Sequence, residues 1–98
     1  MSDDDVVRKL GLHIDKKLYE IIQGLSEEER KVLRYFIQNI SVGSIIALRE
    51  LKALYKVQDP KTIIRNLIDK GLLEQGFGCY NLAKSLREAI FKLIQGHI

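Results

Sequence analysis

Residues 59–82, DPKTIIRNLIDKGLLEQGFGCYNL, fix both ends of one helix and then turn the chain back on itself. Asp59 is of N-cap type, and Pro60 takes the first helical position, where a missing N–H costs nothing. Ile63, Ile64, Leu67 and Ile68 recur at helical spacing and point to a core until Gly71 stops the helix. Leu72-Leu73-Glu74-Gln75 and Cys79-Tyr80-Asn81-Leu82 then pair as strands around Gly76-Phe77-Gly78, whose glycines supply the positive φ of a tight hairpin. A chain of 98 residues buries only a modest core, so every other helix must pack on this unit or on a partner.

The same punctuation divides the rest. Residues 3–10 open with carboxylates, favoured at a helix N-terminus, and stop at Gly11. Asp15 caps a second helix that sets Leu18, Ile21, Ile22 and Leu25 on one face before Gly24 breaks it. Ser26-Glu27-Glu28-Glu29 is a capping box, and Val32, Leu33, Phe36, Ile37 and Ile40 form the stripe of a helix ending near Asn39. Ser41-Val42-Gly43-Ser44 reads as a turn, Ile45-Ile46-Ala47 as a brief β-favouring run, and 48–54 as a short amphipathic helix. Ser85-Leu86-Arg87-Glu88 repeats the capping-box spacing, and Leu86, Ile90, Leu93 and Ile94 continue a stripe until Gly96.

Composition narrows the function. With 46% hydrophobic and 30% charged residues the chain reads as one folded, soluble domain. No apolar run approaches the roughly 18 residues that span a bilayer, and the acidic start is unlike a signal peptide, so cytoplasmic residence is the default and no membrane partner is expected. Cys79 is the lone cysteine and His13 and His97 lie far apart, which leaves no internal disulfide and no zinc-spaced set. Cys79 reads as a small buried hydrophobe; a reactive thiol would need a basic neighbour that the sequence lacks. No nucleophile has a base nearby, no glycine-rich phosphate loop is present, and the carboxylates sit at helix starts, so neither catalysis nor a cofactor is expected. The net charge of +3 suits an anionic partner. The positive excess lies outside 59–75, where three cations face three carboxylates.

The order helix, short strand, helix, turn, helix, hairpin from Ser26 to Leu82 resembles the winged helix-turn-helix superfamily. The segments that carry the likeness are LSEEERKVLRYFI, LRELKALYKV, DPKTIIRNLIDKGLL and LLEQGFGCYNL. The resemblance implies a mostly α fold with a small β-hairpin, in the α+β class: an N-terminal helical extension at 1–25, a winged-helix core at 26–82 and a C-terminal helix at 83–98. It further implies a homodimeric transcriptional regulator that lays one helix in the major groove of double-stranded DNA and its wing on the phosphates. Carried over by position, the contact set is Lys61, Thr62, Arg65 and Asn66, with Lys56 beside them. Arg suits guanine, Asn suits adenine, and Lys and Thr hold phosphate oxygens. A basic flank of Arg30, Lys31, Arg34, Arg49, Lys52 and Lys56 would position the duplex, the alternative being a solvated, charge-dotted helix face.

The alternative is a winged-helix adaptor that grips another protein without touching DNA. Asp59, Asp69 and Glu74 offset Lys61, Arg65 and Lys70, the wing tip has no cation, and the turn before Pro60 has no glycine. In that reading the polar residues of 59–70 form a solvated face. Phe77 either anchors a partner or folds back over its own hairpin. Leu86, Ile90, Leu93 and Ile94 either cover the core in cis or pair with a twin helix in a homodimer.

Overall fold

The computed structural model describes residues 8–95. Its elements are α1 (Lys16–Gln23), α2 (Glu27–Asn39), β1 (Ser41–Gly43), α3 (Ser44–Ala53), α4 (Pro60–Asp69), β2 (Leu73–Gln75), β3 (Cys79–Leu82) and α5 (Lys84–Gln95). Residues 8–10 are also helical; the remainder of the helix expected at 3–10, and Gly96 as the stop of the last helix, lie outside the described residues.

Local chemistry sets the helix starts. The Asp15 carboxylate accepts from the Lys17 amide at 3.0 Å. At α2 the capping box closes in both directions, Glu29 N to Ser26 Oγ at 3.1 Å and Ser26 N to Glu29 Oε1 at 3.0 Å. Asp59 caps α4 through the Thr62 amide at 3.4 Å and the Thr62 hydroxyl at 2.7 Å. The start of α5 differs from the sequence expectation. It opens at Lys84 rather than from a capping box at Ser85, because Glu74 on β2 accepts from the Lys84 amide at 3.0 Å and pairs with Arg87 at 3.4 Å.

The region 41–47 also departs from expectation. Ser41–Gly43 is a strand rather than a turn, and Ile45-Ile46-Ala47 opens α3 rather than extending. The cause lies one residue earlier. Ile40 takes φ 62 and ψ −56, a conformation that costs a β-branched residue about 1–3 kcal/mol and swings the chain out of α2 into pairing. Two backbone bonds hold it there, Ile40 N to Phe36 O and Leu82 N to Ile40 O, both 2.7 Å. β1 then runs antiparallel to β3 with Ser41 opposite Asn81 and Gly43 opposite Cys79, and β2 pairs on the other edge, giving the order β1-β3-β2.

Around that sheet the helices share one core. Val32, Leu33 and Phe36 of α2 meet Ala47 and Leu51 of α3, Ile64 and Leu67 of α4, and Tyr80 and Leu82 of β3. Ile22 and Leu25 join from the α1 side, and Leu86 joins from α5. A polar clamp runs beside it: Lys70 Nζ reaches Glu29 Oε2 at 2.6 Å and ties the end of α4 to the start of α2. This pairing, with the Ser26 bonds, holds the Glu29 carboxyl below the usual glutamate value despite partial burial. The result is a mostly helical α+β fold with a small antiparallel sheet. Among the described residues no helix is long and apolar enough to cross a membrane.

Between α3 and α4 the turn manages without glycine. Leu54 N bonds to Glu50 O at 2.8 Å and Val57 N to Leu51 O at 3.0 Å, which requires the residue between to be left-handed, and Lys56 supplies φ 59. A lysine pays a steric penalty there that glycine avoids, offset by the greater freedom of glycine in the unfolded chain. Lys56→Gly is therefore expected to raise stability by about 0.5 kcal/mol, read from the urea midpoint. A clear loss would show that the Lys56 side chain makes contacts that outweigh its backbone cost.

Candidate interaction surfaces

α4 turns Ile64 and Leu67 fully inward, with Ile63 and Ile68 half-buried on the same core. Its other side therefore presents Lys61, Thr62 and Arg65 to solvent, with Asn66 half-buried. The residues expected to contact DNA separate into two groups. Lys61 and Arg65 share an open cleft of about 280 Å³ between α4 and the hairpin, where Asp69, Gln75 and Tyr80 also stand. Thr62, Asn66 and Lys56 do not line it. The Thr62 hydroxyl is committed to the cap, and its bonds to Asp59 hold that carboxyl below its ordinary value. Of the other cations in this half, Lys70 is bound to Glu29 and Lys31 donates to the Tyr55 carbonyl at 3.1 Å.

At the far end of the hairpin the backbone leaves little choice. Gly76 N donates to Cys79 O at 2.8 Å, and Gly78 sits at φ 72. A Cβ at Gly76 would meet Cys79 Sγ at 2.7 Å and Asn81 Nδ2 at 2.9 Å, so that position admits no side chain without displacement. Between these glycines Phe77 stands fully exposed, at 107% of its reference area. The fold-back alternative is overturned by that exposure: the ring lies on no part of its own hairpin, while Tyr80 is the aromatic of β3 that turns into the core.

The pairing of β1 with β3 continues by one bond, Ser44 N to Gly78 O at 3.0 Å, which brings the first turn of α3 beside the tip. That turn exposes Ile45 and Ile46, because α3 buries Ala47 and Leu51 instead. Ile46 Cδ1 lies 3.8 Å from where a Cβ on Gly43 would stand, so the side chain bends toward β1. Cys79, expected as a buried hydrophobe, is half-buried with its thiol 3.6 Å from Asn81 Oδ1.

α5 uses its stripe mainly in cis. Leu86 has no exposed area and is spent on the core, and Ile90 is half-buried against it, so of the four residues expected to cover the core or pair with a twin helix these two serve the core. Leu93 is half-buried and Ile94 exposed. The outer face carries an exposed Phe91 in an open groove with Lys84, Arg87 and Lys92 against the single carboxylate of Glu88. Sequence reading missed Phe91 as a surface residue; the available signal was its place off the 86/90/93/94 stripe.

A family model described as PolB1 Binding Protein 2 matches residues 26–88. The chain belongs to the PolB1 Binding Protein 2 family. A search of curated proteins finds no match. The region shared with the PolB1 Binding Protein 2 family begins at Ser26, the cap of α2, and closes at Glu88 inside α5. It takes in the α4 cleft, the hairpin tip, Ile45 and Ile46, and leaves Phe91 and Ile94 beyond its end.

Proposed function

We propose that this chain is a non-catalytic accessory subunit of the PolB1 polymerase, a winged-helix adaptor that docks on protein rather than reading DNA. The observation that carries this reading is the family match across the folded core. Charge supports it. Of the cations on or beside α4, Lys70 is paired with Glu29, while Lys61 and Arg65 share their cleft with Asp69. Few phosphates could be neutralised there, so little counterion release is on offer. Light scattering on a mixture with purified PolB1 tests the proposal: a complex of defined mass supports it, and two unshifted peaks refute it.

A second reading has one observation in its favour. Lys61 and Arg65 are both exposed on one wall of the cleft, where they could grip a duplex as a winged-helix regulator does. On that reading, alanine at both positions weakens duplex binding by about 1–3 kcal/mol and flattens the salt slope by about two. The adaptor reading expects otherwise. The free chain then binds duplex only at the non-specific level, with Kd around 10⁻⁴–10⁻⁶ M, and the double variant keeps its full affinity for PolB1. Anisotropy titrations of a labelled duplex at low and raised salt decide between them.

A further inference from the structure

The two longest stretches of this chain without Asp, Glu, Lys, Arg or His are 35–48 and 75–83. In a protein that is 30% charged, such runs are unusual, and the fold places them against each other. β1 comes from the first and β3 from the second, and the Ser44–Gly78 bond extends their pairing to the hairpin tip. Ile45 and Phe77 each lie one residue from that bond. Ile45 is 74% exposed and Ile46 54%. Large apolar side chains in solvent, drawn from two uncharged runs with Arg49 of α3 the nearest charge in sequence to the isoleucines, have the composition of an interface centre, which is depleted in charge and enriched in aromatics.

We infer that Phe77, Ile45 and Ile46 form one apolar knob that seats in an uncharged, apolar pocket of PolB1. The inference rests on the adaptor reading and names its contact. Three considerations fix the occupant. A pocket lined with ionised groups would lose their hydration against a knob that offers no counter-charge. Nucleic acid finds one cation here, Arg49 a turn away on α3, too few to hold a phosphate backbone. Neither the α4 cleft, which holds Lys61, Arg65 and Asp69, nor the α5 groove, which holds Lys84, Arg87 and Lys92, offers a second copy an uncharged pocket. The family match, in turn, contains all three knob residues. The Gly76 N to Cys79 O bond at 2.8 Å closes the hairpin, so the backbone that carries Phe77 stands beside the first turn of α3 before the partner arrives.

Calorimetric titration of PolB1 with wild-type chain, Phe77→Ala, Ile45→Ser and Ile46→Ser tests this. Phe77→Ala should weaken binding by about 30-fold, the loss of a hot-spot side chain, with unchanged thermal melting because the ring touches nothing in its own fold. The serine variants should weaken binding by smaller factors. The chain contains no tryptophan, so Phe77→Trp carrying 5-fluorotryptophan gives one fluorine resonance, which should shift and broaden when PolB1 is added. If wild type binds and all three truncations bind equally well, the knob is wrong while the adaptor reading stands. If wild type fails to bind PolB1 at all, both fall together.

Discussion

Phe36→Ala lowers the free energy of unfolding by about 3–5 kcal/mol, a large share of the total stability of a domain this size. The side chain has no exposed area, and its ring meets Tyr35 edge-on at 5.1 Å and Tyr80 at 6.4 Å. Those contacts join α2 to the central strand of the sheet, so the cavity would open between the helical layer and the hairpin, where neither side can collapse freely. Truncation loses the transfer energy of the ring and the edge-to-face contacts together. Urea denaturation followed by circular dichroism measures the change. A loss under about 1 kcal/mol would show that the site repacks, and that Phe36 does not couple the two layers.

Glu29→Ala costs about 2–3 kcal/mol, for two separable reasons. One carboxyl oxygen accepts from the Ser26 amide and the other from Lys70. Removing the first bond opens the return half of the capping box, worth about 1 kcal/mol, while the Ser26 hydroxyl still caps the residue-29 amide. Removing the second leaves Lys70 without its partner, a penalty reduced because the lysine side chain is 39% exposed while Glu29 is only 10% exposed. The pH dependence separates this clamp from simple packing. The folded-state value of Glu29 lies below its ordinary 4.5, chiefly through the Lys70 hydrogen bond. Its stabilisation is therefore complete above 4.5 and disappears as pH falls through the lower folded value. Wild type and Glu29→Ala should differ most at neutral pH and converge in acid. A gap independent of pH would assign the loss to packing alone.

Features that depend on near neighbours in sequence were legible from the residues. The capping box at Ser26 and Glu29, the Asp59-Pro60 start of α4 and the left-handed Gly78 act within a few positions, and each appears where its chemistry requires; Gly76, expected at positive φ too, is not, and it is glycine because a Cβ would strike Cys79 and Asn81. Features set by distant partners were not legible. β1 exists because Ile40 accepts a strained backbone and β3 is there to pair with Ser41–Gly43. The α5 cap comes from Glu74, ten positions upstream of Lys84, and so displaces the local Ser85 signal.

The candidate surfaces divide in the same way. The side-chain types on the outer face of α4 follow from its apolar periodicity, but the removal of Lys70 by Glu29, 41 positions away, does not. For Phe77 both fates were physically sound, and only its exposure in the folded hairpin decides between them. Leu86 and Ile90 likewise suited either a core or a dimer. They pack inward because Ile22 and Leu25 cover only part of the core, and α5 closes the rest. The uncharged runs were visible in the sequence; that they meet at one end of the molecule required the register of β1 on β3.

The most direct test is the mass of the complex formed when purified PolB1 is mixed with this chain at moderately high salt, using wild type and the Lys61→Ala/Arg65→Ala double variant. An adaptor docking through uncharged surface gives the same complex with both proteins, insensitive to salt. Failure to form any complex, or a duplex-dependent association lost in the double variant, would contradict it.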